Sequence, residues 1–473
     1  MIINTSIKLQ NLIIHVIILL AFAFPFQGFG QDDSLVKSKG LRDFLKKGEL
    51  NFLSKTQVMS TVNEGAGNDF FALGTGIGAF YKTPSFHGFQ VKAGAFMTFN
   101  LAGYHLVNST TNKWNNTRYE KALYDIKDPS NKYNLGALDE LYIAYTFKKL
   151  SFKVGRQIHE TPLLNKNYNR FRPNIFQGLS AKYENKKLTF SAAWFISEAI
   201  RGTMNTYSTA NSFGVYGEGW NPDGSKNDYH GHITTLGTGV FGVKYKHKNT
   251  SAIKWESQAW NYLGENVFNL TFVQSDFKIK HKKTEFLFGV QGLYQTALKN
   301  GGNPDPTHAY ILNEESTYAV GGKVGVKFIQ QHEISLNYFG ISDEGRYLFP
   351  REWGREQYYA SQTTELFEGY GGLNAYVFRY EYSSKNKRHS TKLSAGIIDQ
   401  PDIQNLRLNK YGLDNYYHFL AQYKHQFGKY FEGMSMRFIV TYKKEMNPGS
   451  MTNSQKINKV DMVHFNLTLN YFL

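Results

Sequence analysis

Residues 155–174, GRQIHETPLLNKNYNRFRPN, concentrate the chemistry of this chain in one place. Arg156, Lys166, Arg170 and Arg172 crowd together with Glu160 among them, and the Pro and Asn content reads as a loop leaving one strand and entering another. A guanidinium keeps its charge at any physiological pH and grips a carboxylate through two parallel hydrogen bonds. Several of them beside water form a path that selects anions. Arg170 and Arg172 are two residues apart, so in an extended stretch both side chains point the same way. Arg201, just after LTFSAAWFIS, and Arg379, on the polar parity of NAYVFRYEYS, extend the row. Glu140 and Glu160 are the acids placed to oppose or neutralise it. The competing reading is plainer: the arginines pair with Glu140, Glu160 or Asp139, or bind lipopolysaccharide phosphates on an outer surface.

Other chemistry has less support. The chain has no Cys and no G-x-S-x-G elbow, which leaves nucleophilic catalysis without a candidate, and it is expected not to be an enzyme. His230 and His232 in HGH, and Asp223 and Asp228 in NPDGSKND, suggest a metal, but the second stretch lacks the spacing and terminal Glu of a calcium loop. No metal site and no cofactor are expected. Gly74, Gly76 and Gly78 recur at period two in GTGIGAF, a pattern that leaves room along a strand rather than cradling phosphate. The formal charge of +16 invites nucleic acid as a partner, yet no recognition helix or stacking module accompanies it.

These residues must be held by strands. In VHFNLTLNYFL, Val463, Phe465, Leu467, Leu469, Tyr471 and Leu473 share one parity, with His464, Asn466, Thr468 and Asn470 on the other. The same alternation runs through GFQVKAGAFMTFNL, DELYIAYTF and YAVGGKVGVKF, with charges confined to one parity and aromatics near the ends. Aromatic residues make up 16% of the chain while its mean hydropathy stays at −0.44. Greasy surface on a polar chain fits a transmembrane β-barrel, whose strands face lipid on one side and water on the other. Short polar turns (KTPSFHG, FKKLS, ENKKL, KHKNTS, SSKNKRHS) alternate with long connections near 102–137, 160–175, 198–233, 299–316, 341–370 and 443–461. The pattern predicts an all-β, antiparallel barrel of about eighteen strands, closed by pairing the strand near Leu50 with the last one. Leu467 should then meet lipid and Thr468 the lumen.

At the start, LIIHVIILLAFAF followed by GFGQDDS reads as a secretory signal over 1–30, cut after Gly30. Residues 31–47 are a polar periplasmic or luminal segment, and 48–473 the barrel. Beyond the signal no run of about eighteen apolar residues could form a spanning helix.

The stretches LRDFLKKGELNF, YKTPSFHGFQVKAGAFMTFNL, RYEKALYDIKDPSN, LDELYIAYTFKKLSFKVGRQIHETPLLNKNYNRFRPN and SFGVYGEGWNPDGSKNDYHGH resemble the OprD family of outer-membrane porins in its Bacteroidota form, over roughly residues 41–235. The resemblance implies a monomeric barrel with one loop folded into the lumen, making a narrow pore for amino acids, peptides, carboxylates or sugars. It places the infolded-loop signature at Thr161–Asn165 and Arg170–Pro173. Tyr168-Asn169 replaces the family's usual Asp-Gly, and SEAIRGT puts an Arg at 201 and Glu198 beside it. A substrate path lined by Arg156, Arg170, Arg172, Arg201, Arg379, Glu140 and Glu160 is the resulting expectation. Small hydrophilic solutes, outer-membrane lipid and the barrel-assembly machinery are the expected partners. A surface-binding barrel, and less so a barrel-embedded hydrolase, are the alternatives.

Overall fold

The computed structural model describes residues 40–473 apart from 66, 112, 132, 168, 218, 248 and 249. The expected signal, its cleavage point, most of the 31–47 segment and Tyr168 lie outside the described residues. Leu41–Leu45 forms a short helix, and Lys47–Leu473 is a separate compact unit.

That unit is one antiparallel sheet closed on itself. In chain order its strands are β1 (Glu49–Asn63), β2 (Phe70–Lys82), β3 (Phe89–Tyr104), β4 (Gly136–Phe147), β5 (Leu150–Gln157) and β6 (Ile175–Glu184). There follow β7 (Leu188–Ala199), β8 (Thr238–Lys246), β9 (Ile253–Gly264), β10 (Phe268–His281), β11 (Thr284–Ala297) and β12 (Ser316–Phe328). The ring ends with β13 (His332–Ile341), β14 (Asn374–Ser383), β15 (His389–Asp399), β16 (Tyr416–Gln426), β17 (Met434–Glu445) and β18 (Met462–Phe472). Each strand pairs with its neighbour in sequence, and β1 pairs with β18 from Leu53↔Phe472 to Asn63↔Met462, so no edge remains open. Eighteen strands make the ring, and Thr206–Ser208 adds a nineteenth along the end of β7.

Alternation decides which side chains face out. Along β18, His464, Asn466 and Thr468 are buried inside while Phe465 and Tyr471 are exposed. Outward aromatics gather at both rims: Phe89, Tyr245 and Phe286 at the short-turn end, Tyr104, Tyr294, Tyr318 and Tyr376 at the long-loop end. Two such bands with apolar residues between them match the two interfaces of a bilayer. The long-loop end also carries the 400–415 connection, which the sequence pattern did not single out, and two short ones at 64–69 and 265–267.

Thr468 faces inward as expected, but at 1% exposure it is packed rather than bathed in water. A fair test of parity therefore uses Thr189 as the inward position, since it lines an open internal cavity. Leu467→Arg, near the middle of β18, is expected to cost about 2–4 kcal/mol and impair assembly. Thr189→Arg should assemble normally. Heat-modifiable gel mobility checks both, and equal behaviour of the two variants would contradict the assigned faces.

The interior is filled by loops, and the apolar core sits there. The 158–174 and 342–373 loops turn inward, burying Leu163, Leu164, Phe171, Tyr347, Phe349, Trp353, Tyr358 and Phe367. Trp353 packs against Phe213 and Phe349 with ring centroids 5.0 and 5.8 Å away. One infolded loop was expected; both of these turn inward, and the 105–135 and 200–237 loops also bury residues such as Tyr124 and Phe213.

Candidate functional site

The 158–174 loop crosses the lumen between walls that stand eight strands apart in an eighteen-strand ring. On the β9 side, the Tyr262 hydroxyl donates to Thr161 Oγ1 (2.9 Å) and accepts from the Leu163 amide (3.2 Å). On the β1 side, Gln57 Nε2 donates to the Asn169 carbonyl at 3.1 Å and Lys55 Nζ donates to that of Arg170. Phe171 lies over the bare backbone of Gly74, where an added Cβ would come within 2.8 Å of the ring. The glycine stripe thus makes room along the wall, as its period suggested.

The second loop is zipped to the first. Asn165 Nδ2 donates to the Arg355 carbonyl (2.8 Å), the Asn165 amide donates to the Trp353 carbonyl (3.1 Å), and the Arg355 amide donates to Asn165 Oδ1 (3.2 Å). Gly354 sits so close to the Leu163 carbonyl that a side chain there would collide with it. Arg379 on β14 faces inward and donates to the Ser361 carbonyl at 2.9 Å, holding the 342–373 loop to the strand it leads into.

Between these loops lies a cavity of about 350 Å³. Arg118, Arg170, Arg201, Arg351, Arg355 and Arg437 line it, joined by Lys121 and Lys127; Glu365 is the one carboxylate in its lining among the described residues. Burial and the nearby Arg201 charge lower the Arg170 pKa to about 9, and burial lowers that of Arg355 to about 10. Both stay charged at neutral pH. Burial works against the ionisation of Glu365, but Lys443 at 2.9 Å and His418 at 2.8 Å outweigh it and hold the carboxyl well below its usual range. Its negative charge is therefore shared with its own partners. Arg351 binds Glu368 at 3.1 Å. Arg201 lies over the Tyr216 ring at 5.4 Å, which gives the cavity an aromatic face beside its charge.

A second cavity of about 600 Å³ opens toward the short-turn end, lined by Lys153, Lys182 and Lys244 with Glu160, Glu256 and Asp276. The 158–174 loop lines both spaces, with Glu160 on one and Arg170 on the other.

The expected site residues divide. Arg170 and Arg201 come together in the smaller cavity. Arg172 does not: it is 3% exposed, with Nε 2.6 Å from Asp139 Oδ1 and Nη1 donating to the Thr203 carbonyl at 2.8 Å. Extended geometry in the loop would have aligned it with Arg170, but a β-bulge at Asp139 turns two successive carboxylates inward and captures it. Arg156 shares a register position with Leu141, which faces out, and donates to Thr206 Oγ1 and the Leu138 carbonyl, both at 2.7 Å. Glu140 is tied to Lys92 at 2.6 Å and Glu160 to Lys166 at 3.3 Å.

Arg118, Arg351, Arg355 and Arg437 were not anticipated. Arg437 carried a signal, since SMRFIV places it on the inward parity of β17, level with Thr468. The other three sit in long loops whose paths no periodicity reveals. Thr61, His464 and Glu120 form a further cluster, with Thr61 Oγ1 2.9 Å from His464 Nδ1 and 2.5 Å from Glu120 Oε1. Thr61 is fully buried, so the cluster presents no nucleophile to a solute.

No protein-family model and no curated protein matches the chain. Solved structures do. OpdK of Pseudomonas aeruginosa, crystallised with vanillate, matches with a TM-score of 0.64 at 12% identity, covering 91% of this chain and 99% of that one. OccK9 (OpdG) of the same organism matches at 0.69 and 12%, over 91% and 99%. OccAB1 of Acinetobacter baumannii matches at 0.67 and 12%, over 91% and 97%. At such identity the likeness is one of fold.

Proposed function

We propose that this chain is a channel of the bacterial outer membrane that passes small anionic solutes, carboxylates foremost, by selective passive diffusion. The observation that carries the proposal is the arginine-lined cavity between the two infolded loops. Charged groups there stand in a narrow space with low-dielectric walls, where screening is weak and a fixed charge acts strongly on passing ions. Guanidinium forks bind a carboxylate in a defined orientation, and neighbours at similar distance let it move on. Tyr119 and Tyr216 offer flat surfaces to an apolar or aromatic part of the solute. The outward apolar band and its two aromatic rims fit a bilayer, and the likeness to OpdK, OccK9 and OccAB1 supports the outer membrane as its place. The barrel acts as a monomer and reaches that membrane through the assembly machinery. Its short turns face the periplasm.

The test is conductance of the purified barrel in planar bilayers, followed by liposome swelling with matched panels of monocarboxylates, dicarboxylates, neutral sugars and cationic amino acids. Discrete channel steps and faster swelling with carboxylates than with neutral solutes of equal size are the expected results. An electrically silent barrel would end the channel reading, and equal swelling rates would end the anionic preference.

A further inference from the structure

Away from the lumen, the long-loop rim brings together three residues that the sequence separates. Asp228 and His232 lie in the 200–237 loop and His308 in the 298–315 loop, and one ligand atom from each falls within 4.8 Å of the others. The two imidazoles stack with centroids 4.0 Å apart, His308 Nε2 faces Asp228 Oδ2 at 3.5 Å, and both His232 and Asp228 are open to solvent.

A second feature supports this arrangement. The other ring nitrogen, His308 Nδ1, faces Asp305 Oδ2 at 3.4 Å. The remaining oxygen of Asp305 is fixed by the Thr307 amide (2.9 Å) and hydroxyl (2.7 Å). A carboxylate behind one imidazole nitrogen fixes the tautomer and aims the other nitrogen outward, as metal-binding histidines require. The loops are also joined at this point. Asn303 Nδ2 donates to the His232 carbonyl at 2.7 Å, the Thr234 amide to the Gly302 carbonyl at 2.9 Å, and Asn221 Nδ2 to the Thr307 carbonyl at 3.1 Å. Beneath them Tyr229 and Tyr310 pack edge to face at 5.2 Å.

We propose that Asp228, His232 and His308 bind a divalent transition-metal cation of the zinc class at the outer rim, clasping the two loops together. Two imidazoles and a carboxylate are a borderline donor set that favours such an ion over calcium or magnesium. Bonds of about 2.0–2.2 Å to a tetrahedral centre require donor atoms about 3.4 Å apart. The two rings now stack, so exposed His232 and half-buried His308 must turn about their side-chain bonds to bring both lone pairs onto one ion. Three protein ligands leave a position for water. His230, whose Nδ1 donates to the Phe213 carbonyl at 2.9 Å, is not one of the residues whose ligand atoms converge.

The test uses the untagged, full-length barrel in detergent, stripped with a chelator and titrated with zinc chloride alone in a calorimeter, with excess magnesium and calcium present. One zinc per barrel is expected. His232→Ala and His308→Ala should each weaken binding at least tenfold, Asp305→Asn should weaken it less, and His230→Ala should leave it unchanged. Heat-modifiable mobility confirms that each variant is folded. Failure of the wild-type barrel to take up one equivalent overturns the proposal. So does unchanged uptake by the folded His232→Ala/His308→Ala double variant, which would place the ion elsewhere, for instance at the His389–His425 pair near the other rim.

Discussion

Under a salt gradient, the wild-type channel is expected to favour chloride over potassium, and the Arg201→Gln/Arg437→Gln double variant to lose a clear part of that preference. Both side chains line the smaller cavity, one from the 200–237 loop and one from β17. With the Asn167 amide turned to suit its neighbours, Arg201 donates to its side-chain oxygen at 2.9 and 3.0 Å, so heat-modifiable mobility must first confirm that the double variant keeps its loops in place. At an effective dielectric of about 20, a unit charge about 10 Å from an anion contributes about 1.7 kcal/mol. Salt in the lumen reduces this, but two such charges together still outweigh the thermal energy, and their loss should show in permeability. The wall of the larger cavity mixes five lysines with four carboxylates, so it supplies little bias of its own. Arg201→Lys/Arg437→Lys should keep the charge preference and blur discrimination among carboxylates, because an ammonium lacks the planar fork. Reversal potentials decide the matter. The same potential for wild type and the Gln variant would mean that selectivity is set elsewhere.

The barrel was readable because its signal is short-ranged. A strand facing lipid on one side must alternate, and β18, β3 and the opening of β12 do so residue by residue. Turns were readable for a similar reason, since Lys- and Asn-rich stretches such as SSKNKRHS break the alternation between one strand and the next. The candidate site was legible in part. Arg170 and Arg201 stood out by type and position, and the inward parity of Arg437 was open to the same reasoning. Arg351 and Arg355 were hidden, because they lie in a loop whose inward course depends on contacts far away in sequence. Those contacts include Asn165 against Arg355, Gly354 against Leu163, and Arg379 against Ser361. One trace of this was present: YLFPREWGREQYYASQTTELFEGY is far more aromatic than a water-exposed loop needs to be. Arg172 follows the plainer reading and pairs with Asp139, although strict alternation would put Asp139 on the lipid face beside Leu141. The bulge that turns Asp139 inward skips one position in the pairing of β3 with β4, and no residue type at that point announces it.

That buried pair leads to the second large effect. Asp139→Leu is expected to destabilise the barrel by about 3–5 kcal/mol, since it leaves the Arg172 guanidinium in a dry site without its counter-charge. Arg172→Met should cost a similar amount by stranding the carboxylate. The double variant Asp139→Leu/Arg172→Met should regain most of the loss, because two apolar side chains of comparable volume replace both charges at once. Recovery should be incomplete, since the Thr203 carbonyl also loses the donor now 2.8 Å away. An unpaired buried acceptor costs about 1–3 kcal/mol. The quantity to measure is the temperature at which the compact gel form converts to the unfolded one, for all four proteins, treated as a double-mutant cycle. Single-channel records add a functional arm. Arg172 fastens the end of the 158–174 loop where it rejoins the wall at β6, so either single variant should show noisier and larger conductance steps as the loop loosens. The double variant should be quieter. Two single variants as stable as wild type would mean that the pair carries no weight in the fold. A double variant whose loss equals the sum of the single ones would mean that Asp139 and Arg172 act independently, and that the loop is held by its other bonds.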